Sequence, residues 1–307
     1  MTYITGHRPP DLDSVAGAIS FANFKNKLEK TNQYKAIIAS KVNQETAYIL
    51  KKFNFKTPTL VKNAKGKNLI LVDHNEFSQA INGVEKANII EILDHHKVNF
   101  KYDKPIVFEV KPWGSVCSII AEKYFKNKIK ISKEMAGFML SAILVDTVIT
   151  KSPTCTLKDI EIIKKLARLA KITDWKKFGM EIFKVRSSLV NLSLKEIIKS
   201  DFKDFDFKAG KFGIGQVETA DLSEIKLLED KLLLELEKIK KLEKYHTVIL
   251  FITDIIKGGS EFLVASNEQQ KVGKALGAKL KNNSVYLKGV ISRKKQVTPK
   301  LAKIFDR

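Results

Sequence analysis

Residues 3–14, which read Tyr-Ile-Thr-Gly-His-Arg-Pro-Pro-Asp-Leu-Asp-Ser, decide how the first half of the chain is organised. The stretch opens with a short β-prone run, and the turn that follows carries His7, Asp11 and Asp13. Two adjacent prolines stiffen this turn because each proline fixes its own φ angle. Helical patterning follows over residues 13–28, so the polar residues lie between a predicted strand and a predicted helix.

The same alternation of strand and helix continues up to about residue 145. The predicted strands are residues 3–5, 35–39, 69–72, 89–93 and 106–110, and the predicted helices are residues 13–28, 45–53, 114–125 and 133–145. Strands that alternate with helices predict a parallel sheet of the α/β class. In such sheets, ligands bind outside the carboxyl ends of the strands.

Further acidic and imidazole side chains follow these predicted elements. Asp73 comes directly after the strand at 69–72, and His95 and His96 come just after the strand at 89–93. Asp146 follows an apolar helical run. Because the strand ends share one edge of the sheet, we expect these side chains to converge although they are far apart in sequence.

Each motif alone has a simpler explanation. Asp13 could cap a helix, Asp73 could form a turn, and the paired histidines could be solvated in a loop. The set is harder to explain in this way, because four of the five histidines lie beside aspartates. Imidazole and carboxylate ligands without thiolates suit Mn²⁺, Mg²⁺, Co²⁺ or Fe²⁺. There are more ligands than one ion needs, which predicts a two-metal hydrolytic site.

Length and composition set the class of protein. A chain of 307 residues is long enough for two domains, and 44% hydrophobic residues permit an ordinary core. No run reaches the ~18 apolar residues of a membrane span, and no secretory signal is recognisable, so we expect a cytoplasmic protein without a membrane partner. The two cysteines, Cys117 and Cys155, lack the spacing of a metal site or a disulfide framework.

The net charge of +21 would attract polyanions. The lysines are spread along the whole chain, and no arginine-rich or aromatic-interleaved tract stands out. A lysine-rich surface is therefore favoured over a nucleic-acid interface. In either case a positive field would help an anionic substrate to arrive.

The second half of the chain predicts a separate, smaller domain. Helical patterning over residues 157–169 and 174–185 gives way to a polar segment at 187–193, which we interpret as a linker between domains 1–186 and 194–307. Strand patterns at 212–218, 248–253, 261–265 and 285–292 surround one long amphipathic helix, for which Asp221 is the predicted N-cap. A mixed sheet covered by helices is the expected product.

These motifs resemble the DHH phosphoesterase superfamily and, within it, the manganese-dependent (family II) inorganic pyrophosphatases. The segments that carry the resemblance are residues 7–14, 73–75, 94–96, 114–115, 142–147, 151–159, 214–219 and 292–297. The triplet Asp94-His95-His96 is a weak signal by itself. The full set agrees in order and spacing along essentially the whole chain, and the carboxy-terminal Ser-Arg-Lys-Lys-Gln is its most specific part.

The resemblance implies a fold, an activity and a role for each matching residue. It implies a DHH-type parallel α/β domain and a smaller DHHA2-like domain, with the active site in the cleft between them. It implies hydrolysis of pyrophosphate by two or more Mn²⁺ ions that activate a bridging water, with Co²⁺ or Mg²⁺ as substitutes, in a homodimer. The implied metal ligands are His7, Asp11 and Asp73 for one ion and Asp13, Asp73, His95 and Asp146 for the other; the implied substrate-binding residues are His96, Lys203, Arg293 and Lys294, with His96 and Asp73 acting in catalysis.

Two departures and two alternatives accompany this interpretation. The family usually has Asn where this chain has Pro9, and Trp113 is larger than the usual residue at its position. The first alternative is another DHH enzyme, an oligonucleotide phosphodiesterase or exopolyphosphatase, whose second domain typically carries Gly-Gly-His. Here Gly258-Gly259 is followed by Ser260, which disfavours it. The second is a non-catalytic binding protein, which the complete set of ligand residues disfavours.

Overall fold

The computed structural model describes residues 1–186, 192–219 and 222–306 of the chain. The chain divides into two compact units, Met1–Arg186 and Ser187–Arg307. Most of the predicted linker, residues 187–191, lies outside the described residues, so its limits remain a prediction. Within the described residues, no helix is long and apolar enough to cross a membrane.

The first unit is built on a six-stranded parallel sheet. Its strands are β1 (Thr2–Thr5), β2 (Tyr34–Ile38), β3 (Thr59–Leu60), β4 (Asn68–Val72), β5 (Asn88–Asp94) and β6 (Val107–Val110), in the spatial order β3-β2-β1-β4-β5-β6. Every pair in this sheet is parallel. The predicted α/β class is therefore confirmed, and β1, β4 and β5 lie side by side.

Six helices accompany this sheet. They are α1 (Leu12–Leu28), α2 (Gln44–Lys52), α3 (Val116–Lys126), α4 (Lys133–Asp146), α5 (Leu157–Ala170) and α6 (Trp175–Arg186). Helix α4 is apolar on all sides, and each of its residues from Met135 to Val145 is buried. Such a helix belongs inside a core, and α1, α3, α5 and α6 all pack against it.

The second unit contains a mixed five-stranded sheet. Its elements are α7 (Leu194–Lys199), β7 (Asp201–Phe207), β8 (Gly210–Thr219), α8 (Leu222–Lys226), α9 (Glu229–Leu242), β9 (Thr247–Asp254), β10 (Gly259–Ser266), α10 (Gln269–Leu276), β11 (Ser284–Lys288) and α11 (Thr298–Phe305). The order is β11-β10-β9-β8-β7, with only β8 and β9 parallel. Alternate residues of the buried strand β9 enter two separate hydrophobic clusters, so the sheet has a core on each face.

Two predictions in this unit were wrong in detail. The predicted long helix is two helices, α8 and α9, separated by a turn at Leu227 and Leu228. In this turn the N–H of Leu228 bonds to the carbonyl of Ile225, and Leu227 is 85% exposed while Leu228 stays packed against the core. The apolar stripe is core, as predicted. The proposed N-cap, Asp221, lies outside the described residues.

The last strand is shorter than predicted, because the predicted strand at 285–292 ends in the structure at Lys288. Gly289 adopts a φ of +77°, a left-handed conformation that interrupts extended structure. Ser292 then begins a short helical turn over Arg293–Val297, whose residue Lys295 donates its N–H to the Ser292 hydroxyl at 3.2 Å. The basic motif therefore lies on a turn and not on a strand end.

Candidate metal centre and basic cavity

Three neighbouring strands bring the predicted ligands to one edge of the first sheet. Strands β1, β4 and β5 run parallel, so their carboxyl ends meet at the same edge. The turn after β1 carries His7 and Asp11, Asp73 directly follows β4, and His95 directly follows β5. Asp146, the last residue of α4, reaches the same cluster, with an oxygen 3.7 Å from Nε2 of His95.

Asp73 lies at the centre of the cluster, and each of its oxygens faces a different imidazole. Its Oδ2 is 3.5 Å from Nε2 of His7, and its Oδ1 is 3.0 Å from Nε2 of His95. Three groups of side-chain atoms that could hold a metal ion share this carboxylate, and the atoms of each group lie within 4.8 Å of one another. They are His7, Asp11 and Asp73; Asp13, Asp73, His95 and Asp146; and Asp73, Asp94, His95 and His96. The first two groups are the residues that the family resemblance implies as metal ligands, and their role as ligands stays a prediction.

The amino-terminal end of α3 holds Asp13 in the cluster. The buried carboxylate accepts hydrogen bonds from the hydroxyl of Ser115 at 2.7 Å and from the main-chain N–H groups of Val116 at 2.7 Å and Cys117 at 3.2 Å. Helix amino termini favour negative charge because their N–H groups are unpaired and the helix dipole is positive there. The carboxylate is therefore fixed in direction by neutral donors.

Hydrogen bonds from neighbouring groups also orient Asp73 and His95. Ser14 donates its hydroxyl to Oδ2 of Asp73 at 2.7 Å. Nδ1 of His95 lies 2.9 Å from the main-chain oxygen of Trp113, which selects the tautomer with the proton on Nδ1 and the lone pair on Nε2. The large Trp113 side chain noted in the sequence has no part in this bond, because the main chain supplies the acceptor.

His96 is oriented by a buried carboxylate. Asp94 accepts from Nδ1 of His96 at 2.9 Å and from the side-chain amide of Asn75 at 2.6 Å. Burial opposes ionisation of Asp94, but the bonds from His96 and Asn75 outweigh it and lower the pKa of Asp94 to about 2. The bond from Asp94 raises the pKa of His96. With Nδ1 engaged and the side chain 53% exposed, Nε2 of His96 is the nitrogen available to a substrate.

The titration behaviour of the cluster reflects crowded negative charge. Burial, together with the charges of Asp11 and Asp13, raises the pKa of Asp73 to about 6. Burial also raises the pKa of Asp146 well above its usual value, again with the charge of Asp13. Burial opposes protonation of the two imidazoles, but the carboxylates outweigh it and raise the pKa of His7 to about 9 and that of His95 to about 10.

This cluster fits divalent metal ions. Its donors are carboxylate oxygens and imidazole nitrogens without a thiolate, the set that suits Mn²⁺ and similar ions. The carboxylates of Asp13 and Asp73 are buried close together, and each is supported by neutral hydrogen-bond donors. Buried charges of one sign need a compensating charge, which a cation supplies. The backbone of Asp73 is also left-handed, with a φ of +64°, an uncommon conformation that aspartate tolerates.

A strained turn follows Asp146, one of the predicted ligands. Val148, Ile149 and Thr150 have φ angles of +48°, +51° and +67°, although all three are β-branched. Thr147 anchors the turn, because its hydroxyl donates to the carbonyl of Ile143 at 2.6 Å and its own carbonyl accepts from Ser152. Left-handed conformations of non-glycine residues persist only where surrounding structure enforces them, and they concentrate at functional sites.

A basic cavity of about 560 Å³ lies in the second unit. Lys203, Arg293 and Lys294, the three predicted substrate-binding residues of this domain, all line it. Both lysines are exposed, whereas Arg293 is 6% exposed and is paired with Asp201 at 2.8 Å. Cavities of about 600 and 680 Å³ elsewhere are lined by none of the predicted site residues.

Several supporting residues were not predicted from the sequence. Ser14 and Ser115 stood within the motifs but were given no role, although both hydroxyls hold ligand carboxylates. Asp94 was likewise given no role, although its carboxylate accepts from the imidazole of His96. Asp201 was not singled out at all. The sequence offered two signals for these residues. Ser14 comes directly after the aspartate-rich turn, and Ser115 comes directly before α3.

The fold and the site together define a two-domain protein of the DHH class. Residues 1–143 match the DHH family, N-terminal domain, and residues 180–304 match the DHHA2 domain. The chain belongs to the family of manganese-dependent inorganic pyrophosphatases. It is 44% identical over 308 residues to the manganese-dependent inorganic pyrophosphatase of Methanothrix thermoacetophila, covering 99% of this chain and 98% of the relative. The resemblance drawn from the motifs is thus confirmed.

Other similar proteins agree with this family. The manganese-dependent inorganic pyrophosphatase of Methanocaldococcus jannaschii is 44% identical over 318 residues and is covered completely, as is this chain. A crystal structure from Methanococcus jannaschii, assigned to family II inorganic pyrophosphatases, has a TM-score of 0.65 at 43% identity, with all of both chains covered. An exopolyphosphatase-related protein from Bacteroides fragilis shares the fold, with a TM-score of 0.52 at 12% identity over 98% of this chain and 92% of that one.

Proposed function

We propose that this protein hydrolyses inorganic pyrophosphate to two orthophosphates. The observation that carries the proposal is the position of Asp73, whose two oxygens face His7 and His95 in two separate ligand sets. One carboxylate shared by two sets of donors is what a two-metal phosphoryl-transfer site requires. The family relatives supply the substrate, since they are named as inorganic pyrophosphatases.

We propose two Mn²⁺ ions per subunit, with Co²⁺ or Mg²⁺ as substitutes. His7, Asp11 and Asp73 would hold one ion, and Asp13, Asp73, His95 and Asp146 would hold the other. When bound, such ions would lower the pKa of a water molecule and would withdraw charge from the phosphate. The chain prepares for the second of these ions by fixing Asp13 through α3 and the His95 tautomer through Trp113.

Four cationic or donor groups would act on the phosphates. We propose that Lys203 and Lys294 neutralise phosphate oxygens as point charges and that Arg293 acts at the same cavity. His96, held by Asp94, would donate from Nε2 to the phosphate that leaves. Phosphoryl transfer depends on positioning the phosphates and neutralising their charge, and these groups would do both.

We also propose that two copies associate through the first unit in the cytoplasm. Strand β6 is an edge of the first sheet, and its Val107 and Phe108 are 57% and 37% exposed. Exposed apolar side chains on an unpaired strand favour association with a second strand. Both cysteines are free thiols, which is usual in a reducing compartment. We expect light scattering to show a dimer for the unaltered protein and a monomer for the Phe108→Glu variant.

The activity is tested by phosphate release from pyrophosphate, using protein stripped of metal and reloaded with Mn²⁺. Polyphosphate and short oligonucleotides serve as competing substrates, and Asp73→Ala is the inactive control. Turnover of pyrophosphate that depends on Mn²⁺ and disappears in the variant is expected. Cleavage of oligonucleotides with little action on pyrophosphate would refute the proposal and favour the alternative DHH phosphoesterase.

A further inference from the structure

Uncompensated positive charge collects at the carboxyl end of helix α5 in the first unit. Lys164, Arg168 and Lys171 follow one another at intervals of four and three residues, so they lie on one side of the helix end, and all three are exposed. In the described part of the chain, none of the three belongs to an ion pair. By contrast Lys165, on the same helix, is paired with Glu161 at 2.6 Å.

The three cations line one cavity of about 490 Å³, which we name the α5 cavity. Thr173 and Trp175 also line it, and none of the described residues that line it is acidic. The helix dipole favours cations at the carboxyl end of α5, but like charges one turn apart repel one another. A concave site lined by unpaired cations attracts an anion.

A second cavity adjoins the α5 cavity but suits an anion less well. It has a volume of about 680 Å³ and shares Lys171 and Thr173 with the α5 cavity. Three acidic residues also line it, namely Glu134, Asp174 and Glu181. Their carboxylates offset the charge of the lysines around them. An anion is therefore expected in the α5 cavity and not in its neighbour.

The α5 cavity is separate from the metal centre. Lys133, which begins α4, lines the adjoining cavity, whereas the predicted ligand Asp146 ends α4. The 14 residues of α4 span about 20 Å. Helix α5 likewise begins near the centre, where Asp159 accepts the N–H of Gly114, and it ends at the α5 cavity. An anion bound there would not contact the predicted metal ligands.

The side chains of the α5 cavity suit phosphate groups that are linked in a chain. The planar guanidinium of Arg168 can donate two parallel hydrogen bonds to one phosphate. Lys164 and Lys171 add point charges on either side of it, with Cβ atoms about 5–6 Å apart from one turn to the next. Trp175 is half-buried and offers an indole face on which a nucleobase can stack.

We infer that the α5 cavity binds a chain of linked phosphate groups, either inorganic polyphosphate or the phosphates of a nucleotide. Charge is what both ligands share, and Arg168 is the residue best suited to recognise it. Trp175 separates the two sources, because only a nucleotide carries a base. The inference does not depend on the proposed hydrolysis of pyrophosphate, since it uses none of the residues assigned to that reaction.

Calorimetric titration of tripolyphosphate into the full-length protein tests the inference. Mn²⁺ is kept in excess over the added phosphates, and one equivalent of imidodiphosphate is added first to occupy the proposed active site. The Arg168→Gln/Lys171→Gln variant should bind tripolyphosphate at least about tenfold more weakly, because it loses charge-assisted hydrogen bonds. The Lys158→Gln/Lys165→Gln variant loses the same charge from lysines paired with Glu161 and should change the dissociation constant by less than about twofold.

Two results would overturn the inference. One is the absence of tripolyphosphate and ATP binding to the unaltered protein once imidodiphosphate is present. The other is an equal loss of binding in the two double variants, which would indicate general attraction to a lysine-rich surface. Arg168 and Lys171 are exposed, so their substitution should leave the melting temperature unchanged, which shows that the variant is folded.

Titration with ATP identifies the source of the phosphate chain. ATP that binds more tightly than tripolyphosphate, and loses this advantage in Trp175→Leu, supports the inference with a nucleotide as the ligand. Equal binding of the two, unchanged in Trp175→Leu, supports it with inorganic polyphosphate. Pyrophosphate hydrolysis is measured on the same samples, so a failure of the proposed function is seen separately from a failure at the α5 cavity.

Discussion

The acidic cluster of the first unit and the basic cavity of the second treat their charges in opposite ways. In the cluster, Asp13 is held by a serine hydroxyl and main-chain N–H groups, and Asp73 by a serine hydroxyl and the imidazoles of His7 and His95. The partners of these carboxylates are therefore neutral donors and groups that can themselves bind a metal ion. In the cavity, the most buried cation, Arg293, is paired with Asp201, and the exposed lysines carry the free charge. The carboxylates that would bind a small metal ion are buried, whereas the lysines that would attract a diffusing anion are exposed.

The largest effect on activity should follow from substituting Asp73, the carboxylate that the proposed ligand sets share. Asp73→Asn keeps the size of the side chain but removes the charge that both ligand sets use. We expect pyrophosphatase activity to fall by about a thousandfold or more, because both metals lose a ligand. Steady-state kinetics at saturating Mn²⁺ measure it, with Asp103→Asn, an exposed carboxylate outside the cluster, as control. Retention of activity within a few fold would show that the two sets do not share a working carboxylate.

A smaller effect should follow from removing a support of the cluster. Ser115→Ala deletes the hydroxyl that donates to Asp13 at 2.7 Å. Residues that orient metal ligands usually affect metal affinity by about 10–100-fold, and we expect a loss of Mn²⁺ affinity in that range, measured by titration calorimetry. Ser118→Ala, on the same helix and without a hydrogen-bond partner for its hydroxyl, is the control. Equal affinities of the two variants would contradict the role of α3.

The corresponding experiment on the basic cavity uses Lys203, the exposed lysine of β7. Lys203→Met should raise KM by about tenfold while leaving Mn²⁺ affinity unchanged, because the lost charge belongs to substrate binding. Lys208→Met, another exposed lysine of the same unit, controls for the general loss of positive charge. A change of Mn²⁺ affinity in Lys203→Met, or an equal KM effect in Lys208→Met, would break the distinction between the two regions.

The smallest effect concerns stability without metal. The folded-state pKa values of His7 and His95, about 9 and about 10, lie above the unfolded value of 6.5. Their stabilising contribution is complete below pH 6.5 and is lost as the pH rises towards 10. The melting temperature of chelator-treated protein should therefore decrease by a few degrees over this range. Protein loaded with Mn²⁺, whose imidazoles are already deprotonated, should lack this decrease. The same dependence of melting temperature on pH in both forms would contradict the assignment of this effect to His7 and His95.

The sequence predicted the first unit better than the second for a physical reason. Predicted ligands such as Asp73 and His95 directly follow apolar strands. Parallel strands place their carboxyl ends at one edge of the sheet, so the local pattern and the parallel topology are enough to predict that these residues converge. The break between α8 and α9 was not predictable from apolar spacing, because the stripe continues across it. The shortening of β11 depended on the left-handed backbone of Gly289, which a strand pattern alone does not reveal.

The role of Asp201 could not be predicted for a different reason. It pairs with Arg293 across 92 positions of the chain, and nothing near either residue indicates the other. The hydroxyls of Ser14 and Ser115 are intermediate cases, since they lie inside recognised motifs but their acceptors are 59 and 102 positions away. The predicted metal ligands can be recognised from the residues next to them in sequence. The groups that hydrogen-bond to these ligands are brought there by tertiary contacts, which the local sequence does not reveal.

The left-handed turn at Val148, Ile149 and Thr150 bears on the order in which the molecule is assembled. Each such residue costs about 1–2 kcal/mol, so an isolated chain segment will not adopt this turn before its surroundings exist. Ile149 is buried, and its side chain lies where any side chain at Gly179 of α6 would collide with it. The turn therefore becomes stable only after α4 and α6 have packed, and with it the position of Asp146. We expect the metal centre to mature late in refolding: Mn²⁺ should leave the early kinetic phases unchanged and accelerate or complete only the last.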